Sequence, residues 1–397
     1  MVQREVVVLS GVRTAIGSFG GGLKDVPPVV LAAEVVRAAL QRAEVEAQAV
    51  GHVVFGHVIN TEARDMYLSR MAAIDGGCGH HTPAFNVNRL CGSGLQAVVS
   101  AAQAILLGDC DTAVAGGAEN MSRGPYISPS ARFGARMGDT ALVDMMVGAL
   151  HDPFHRIHMG ETAENVAAQY AISREDQDSL AMQSHQRAAA ATAAGRFAGQ
   201  IVPITLKGRK GDTVFQCDEH FRGDLTAAEL GKLRPAFRKE GGSVTAGNAS
   251  GINDGAAALV LMERGAAEAR GARPLARLVG YAHAGVDPRL MGMGPVPATR
   301  AVLARTGLRV EDLDVIEANE AFAAQACAVA RELGFDPARL NPNGSGIGLG
   351  HPIGATGAII TVKALHELQR IGGRFALVTM CIGGGQGIAA VFENLQR

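Results

Sequence analysis

The chain has 397 residues, of which 47% are hydrophobic and 19% charged, with a formal net charge of -1. It is too long for one core and too apolar for disorder, so two or three packed units are expected. A near-neutral balance offers no reason to expect nucleic acid or a membrane as partner, since both favour a basic face.

The six cysteines, Cys78, Cys91, Cys110, Cys217, Cys327 and Cys381, include no CxxC pair. That suits neither a disulfide framework nor a zinc ribbon. The N-terminus carries only a short apolar run behind Glu5, and no 18-residue apolar stretch is expected anywhere. A cytoplasmic protein is the resulting expectation.

The first unit reads as a strand (EVVVLSG) and a helix with apolar positions at Val29, Ala32, Ala33, Val36, Leu40 and Ala43. The helix stripe follows the 3.6-residue period. A strand (HVVFGHVI) comes next, then a helix in NRLCGSGLQAVVSAAQAILLG, whose stripe is Leu95, Val98, Val99, Ala102, Ile105 and Leu106. Cys91 stands at the start of that helix. A helix N-terminus lowers a thiol pKa, and the adjacent glycines would let a substrate carbonyl approach the backbone. The same cysteine is equally compatible with simple packing at a strand-to-helix turn.

Residues 121 to 250 break the pattern. SRGPYISPSARFGARMGD is rich in turn formers, and HDPFHRIHMG leads into what reads as one long Ala-rich helix. Such an inserted unit suits a lid or a subunit contact, and composition does not choose between them. His151, His155 and His158 have spacings that suggest a metal, but no carboxylate or cysteine completes an obvious set, so no metal is expected.

From about residue 275 the first plan returns: RPLARLVGYAH, a helix ending in ARTG, LDVIEAN, two more helices, then RFALVTMC. Leu40–Val53 and Leu303–Ile316 share a helix, turn and strand at equal length, and Gly92-Ser93-Gly94 echoes Gly344-Ser345-Gly346. A duplication would bring the ligand-binding switch-point loops of two α/β halves together. Three further signals lie in this half. Asn319 ends LDVIEAN; His351 stands between a glycine-rich loop and a helix expected to begin near Ile353; Cys381 ends an apolar strand before CIGGGQG. Singly they also read as an N-cap, a capping histidine and a core cysteine.

Together, NRLCGSGL, NEAF, NPNGSGIGLGHPIGATG and CIGGGQG, with SGVRTAIGSFGG and TAGNASGINDGAAA, resemble the thiolase family from first strand to last. The likeness is to its biosynthetic type, near the bacterial β-ketothiolases of the polyhydroxyalkanoate pathway. It implies an α/β fold of duplicated βαβαβαββ halves in a five-layered αβαβα core with an inserted loop domain. The implied units are residues 1–120 with 251–273, the inserted 121–250, and 274–397. It further implies a reversible Claisen condensation of acetyl-CoA with acetyl-CoA or a short acyl-CoA.

In that reaction His351 activates Cys91, which carries the acyl group, and Cys381 takes the α-proton. One oxyanion is held by His351 with a water on Asn319, the other by the amides of Cys91 and Gly383. CoA or acyl contacts are implied for Leu150, His158, Met159, Phe237, Ala246, Ser250, Met291 and Phe322, and an adenine contact for Arg222. Between Lys207 and Glu240 eight basic residues face six acidic ones, an excess that suits CoA phosphates and an ordinary solvated face alike. CoA thioesters are substrates, so no cofactor is implied; a homotetramer is. The alternatives are a degradative 3-ketoacyl-CoA thiolase and a ketoacyl synthase, against which Cys381 argues. A non-catalytic CoA-binding protein is opposed by the presence of all four chemical residues.

Overall fold

The computed structural model describes residues 4–397. The first half consists of strand β1 (Val6–Thr14), helix α1 (Pro28–Ala43), β2 (His52–Gly56), α2 (Leu68–Asp75), β3 (Ala84–Val87), α3 (Ser93–Leu107), β4 (Thr112–Asn120) and, after the insertion, β5 (Asn253–Glu263). The principal helices of the insertion are α4 (Met159–Gln169) and α5 (Arg174–Ala193). The second half has β6 (Ala276–Gly285), α6 (Pro295–Thr306), β7 (Val315–Ala318), α7 (Ala323–Leu333), α8 (Thr356–Ile371), β8 (Phe375–Ile382) and β9 (Gln386–Asn394).

Strands run in the order β7-β8-β9-β6-β1-β5-β4-β2-β3. Among the described residues, strands of the two halves pair where Val7 and Val8 of β1 meet Arg277 and Ala276 of β6. Each half mixes parallel pairs, such as β2 with β4 and β7 with β8, with antiparallel ones. Strand alternation then sorts the core into layers. Val7, Leu9, Ala258 and Val260 face α1; Val6, Val8, Leu259 and Leu261 face a central layer of α3 and α8. On the second sheet Ala376, Val378 and Met380 face the same central helices, and Leu377 and Val391 face α6 and α7. Helix, sheet, helix, sheet, helix is the five-layered α/β arrangement expected.

The repeated segment is in register. Helix α1 ends at Ala43 and α6 at Thr306, short 3-10 turns follow at Ala47–Ala49 and Val310–Asp312, and strands open at His52 and Val315. Other expectations need correction. The third strand of the second half is reduced to a single bridge between Leu340 and Ile316. The two GSG sequences are not counterparts, since the central-layer partner of α3 is α8, whereas Gly344-Ser345-Gly346 precedes one turn at Gly346–Leu349. The helix after His351 begins at Thr356 rather than near Ile353.

The long Ala-rich helix is two helices, broken where Ala171 turns left-handed (φ 49°) and Ser173 forms a capping box with Asp176. An 18-residue uncharged window does exist, at Leu90–Leu107, with mean hydropathy 1.6, but it is mostly buried as α3.

The central helices meet through glycine. A Cβ on Gly357 would sit 2.2 Å from the Leu95 backbone nitrogen, and one on Gly94 would sit 2.6 Å from that of Ala358. Backbone cannot yield as a flexible side chain does. Gly357→Ala is therefore expected to destabilise by about 3 kcal/mol, the upper end for overpacking, lowering the melting temperature by several degrees in calorimetry. Melting at the wild-type temperature would refute the close crossing.

Candidate active site

Connecting segments from both halves and the insertion converge on a cavity of about 370 Å³ lined by Cys91, His351 and Gly383. Cys91 follows β3, Asn319 follows β7, Cys381 is the penultimate residue of β8, and His351 precedes α8. A larger open depression of about 590 Å³ beside Leu9, Arg42 and Arg273 contains none of these groups.

Cys91 is presented by a strained turn. Leu90 has φ 45°, a left-handed conformation that costs a branched residue roughly 1–2 kcal/mol. Three hydrogen bonds hold it there: Leu90 N–H to Asn88 Oδ1 at 3.0 Å, Arg89 N–H to Ser93 Oγ at 2.8 Å, and Ser93 O–H to the Leu90 carbonyl at 2.7 Å. The adjacent glycines serve packing rather than substrate approach. A Cβ on Gly92 would strike Ile382, and Gly94 meets α8.

The helix-start setting led to an expected low thiol pKa, and burial reverses it. Desolvation pushes Cys91 up to about 11, although the backbone N–H groups of Gly383 and Cys91 favour the thiolate; nearby Glu119 adds to the rise. Cys381 is fully buried and is raised further, by desolvation first and by the charge of Cys91 second. The thiols are therefore close enough for ionisation of one to oppose ionisation of the other. Burial drives His351 the opposite way, down to about 4, so its ring is neutral at physiological pH.

His351 Nδ1 lies 2.7 Å from Thr356 Oγ1, and its Nε2 lies 3.4 Å from Asn319 Nδ2. The Oδ1 of Asn319 is buried with no protein partner, an acceptor open to a bridging water. Residues of the first half fix the His351 loop: its N–H donates to Asn253 Oδ1 at 3.0 Å, and the Gly354 N–H donates to Glu119 Oε2 at 2.9 Å. Glu119 also accepts from Val58 and Ile59 N–H, so it ties β2, β4 and this loop together.

Leu150, His158, Met159, Phe237, Ala246, Ser250, Met291 and Phe322 all line the cavity. His158 caps α4 by accepting from Gly160 N–H at 3.0 Å and stacks on Phe237 at 4.7 Å, and Phe237 meets Phe322 edge-on at 6.3 Å. Arg222 is not in the wall; it is exposed, and its N–H donates to His185 Nδ1. Asn319 and Cys381 lie behind the wall rather than on it. Among the described residues no group of His, Cys, Asp and Glu could hold a metal; His155 instead bonds Asp152 at 2.9 Å.

Sequence reasoning missed the supporting residues. Glu317 pairs with Lys363 at 2.8 Å inside the core, and Glu320 takes bonds from Ser184 Oγ at 2.6 Å and Asn341 Nδ2 at 3.0 Å. These carboxylates flank Asn319 on either side. Their signal was a charge inside an apolar run, in AVAGGAEN for Glu119 and in VIEANE for Glu317 and Glu320.

A doubled α/β fold whose sheet ends bring together a half-buried thiol, a buried thiol and a neutral imidazole defines a class: an acyltransferase that works through thioesters. The chain belongs to the thiolase family. Residues 6–265 match the model of the thiolase N-terminal domain and 272–394 that of the thiolase C-terminal domain. It is 70% identical to the β-ketothiolase BktB of Cupriavidus necator over 99% of this chain and 100% of that protein. It is 51% identical to an Escherichia coli acetyl-CoA acetyltransferase, over 99% and 100% of the two chains.

Among solved structures, the Bacillus anthracis acetyl-CoA acetyltransferase superposes with a TM-score of 0.97 at 49% identity, covering 99% of both chains. The human mitochondrial 3-ketoacyl-CoA thiolase in complex with CoA gives 0.96 at 42% identity, covering 99% and 98%.

Because Cys91 is a thiol with its pKa near 11, its alkylation by iodoacetamide is expected to accelerate about tenfold per pH unit between roughly pH 7 and 9, following the thiolate fraction. Mass spectrometry of the Cys91 peptide measures this. A plateau below pH 8 would contradict burial as the dominant influence.

Proposed function

We propose that the protein is a β-ketothiolase that condenses acetyl-CoA with acetyl-CoA or a short acyl-CoA, reversibly, by a ping-pong route through acyl-Cys91. The observation that carries this reading is a cavity lined by Cys91 and neutral His351, with the buried Cys381 thiol behind its wall and near enough for the charge of Cys91 to oppose its ionisation. Its names accord with those of the relatives.

In the first half-reaction Nε2 of His351 takes the Cys91 thiol proton, and the sulfur attacks the thioester carbonyl. The oxyanion that forms is met by the N–H groups of Cys91 and Gly383. The carbon–sulfur bond to CoA then breaks, and CoA leaves with the proton that His351 had taken. Each oxyanion donor of this kind is worth about 3–4 kcal/mol.

In the second half-reaction Cys381 passes its own proton to Nε2 of His351 and, as thiolate, takes the α-proton of a second acyl-CoA. The enolate oxygen is held by His351 and by a water on Asn319, whose Oδ1 is otherwise unpartnered. The carbanion attacks the acyl carbon, the bond to Cys91 breaks, the Cys91 thiolate recovers a proton from His351, and 3-ketoacyl-CoA departs. A strongly raised thiol pKa suits this step, because the thiolate is then a stronger base toward a weak carbon acid. Acylation also leaves Cys91 unable to ionise, so no Cys91 charge can oppose ionisation of Cys381. Thiolysis runs the same steps backwards.

The apolar wall of Leu150, Met159, Met291 and Phe322 fits pantetheine and a short acyl chain, with the nucleotide end of CoA near exposed Arg222. This reading divides the chain into residues 1–120 with 251–273, the inserted 121–250, and 274–397. It places the enzyme in the cytoplasm, where free cysteines stay reduced.

A homotetramer is part of the same reading. Strand β3 pairs only with β2 and so leaves an open sheet edge, where Phe85, Met66 and Tyr67 are exposed. The insertion also carries Phe133 and Met137, exposed to 89% and 96%, a pattern that marks contact surfaces.

Cys91→Ala is expected to abolish thiolysis of acetoacetyl-CoA and 3-ketovaleryl-CoA and to lose the acyl adduct seen by mass spectrometry in the wild type. An undiminished rate would overturn the reading. Phe133→Glu combined with Met137→Glu is expected to convert the tetramer to a dimer in light scattering; a tetramer in the double variant would move that contact elsewhere.

A further inference from the structure

The neutral ring of His351 carries one proton, and the hydrogen bonds around it decide which nitrogen holds it. Thr356 Oγ1 lies 2.7 Å from Nδ1. The threonine hydroxyl has a single proton, and that proton goes to the Pro352 carbonyl 2.9 Å away, the partner four residues back that a hydroxyl in a first helical turn commonly takes. Toward the ring the oxygen therefore offers only lone pairs, so Nδ1 must be the donor.

The opposite edge of the ring agrees. Asn319 presents its amide nitrogen to Nε2 at 3.4 Å, and a donor there requires Nε2 to be bare. Asn253 and Glu119 meanwhile fix the loop at the His351 and Gly354 N–H groups, which leaves the ring's protonation pattern to Thr356 and Asn319.

We infer that Thr356 is a positioning residue for acyl transfer: its hydroxyl selects the Nδ1–H tautomer of His351, so that Nε2 is the atom that accepts the Cys91 proton. This inference rests on the proposed role of His351. In the step concerned the sulfur–hydrogen bond of Cys91 breaks, a bond from Nε2 to that hydrogen forms, and Nδ1 keeps its own proton against Thr356. The requirement is for an acceptor, not for volume. Valine would fill the same space, but a buried Nδ1–H facing a methyl group loses its partner, and the ring would move its proton to Nε2, where it can no longer act as a base toward the thiol.

The decisive measurement is the ¹⁵N spectrum of the intact enzyme labelled at histidine, with the His351 resonances identified by their loss in His351→Asn. The expected wild-type pattern is a protonated, pyrrole-like Nδ1 and a bare, pyridine-like Nε2; the reverse pattern overturns the inference. In Thr356→Val the population should shift toward Nε2–H, and acylation of Cys91 should slow by roughly 10- to 100-fold, the loss found when a partner orienting a metal-bound imidazole is removed. KM for acetoacetyl-CoA should stay unchanged.

Thr356→Ser restores the hydroxyl and should recover most of the rate. A full rate in Thr356→Val, or a Thr356→Ser enzyme that folds but is as slow as the valine variant, overturns the inference. Should the valine variant not fold, the wild-type spectrum and the serine variant still decide it. Full acylation in His351→Asn would instead overturn the role of His351, while the spectrum would still report whether Thr356 sets the tautomer.

Discussion

The contact on which the site depends is the crossing of two helix starts at backbone distance. Gly94 and Gly357 let α3 and α8 approach until a single methyl group would collide with the neighbouring chain. The strand ends join the same contact, for a Cβ on Gly56 or Gly117 would fall 2.6 and 2.3 Å from the Gly354 carbonyl oxygen. Cys91 lies just before one helix and His351 just before the other. Crossing the helices at their starts thus delivers a thiol from one half and an imidazole from the other to one cavity.

Desolvation sets the resting charges of the site. Burial raises both thiols and lowers the imidazole, so all three are neutral at rest. Charge appears in the cavity only as the reaction proceeds, where fixed N–H donors act in a low dielectric and need not reorganise. The N–H bonds from Gly383 and Cys91 favour the Cys91 thiolate without making the resting thiol acidic.

Carboxyl groups sit one layer back, where they hold backbone, and burial raises all three, Glu317 to about 7. Glu119 takes three N–H groups, two from one segment of the first half and one from the second half. Glu317 with Lys363, and Glu320 with Ser184 and Asn341, brace the turn that carries Asn319. Buried ions of this kind are costly, and removing one partner is worse than never having had the pair, by about 3–5 kcal/mol. Their use here is to fix the geometry of a site assembled from distant segments.

The sequence alone determined much of this. Periodicity outlined α1, α3 and the strands, and equal spacing at Leu40–Val53 and Leu303–Ile316 marked the repeated unit, because helix and strand patterns depend on neighbours a few residues apart. The four chemical residues were legible because each stands at an element boundary, and Cys91, His351 and Cys381 do so in glycine-rich blocks. Tertiary structure decided the rest. It shortened the third strand of the second half to one bridge at Leu340, split the helix of the insertion at Ala171, and turned the glycines beside Cys91 from a substrate path into a packing surface. It also reversed the pKa expected of Cys91 and supplied Thr356, Asn253 and Glu119 as partners of the His351 loop. Desolvation and hydrogen bonding depend on which surfaces meet across hundreds of residues, and one-dimensional spacing carries no record of that.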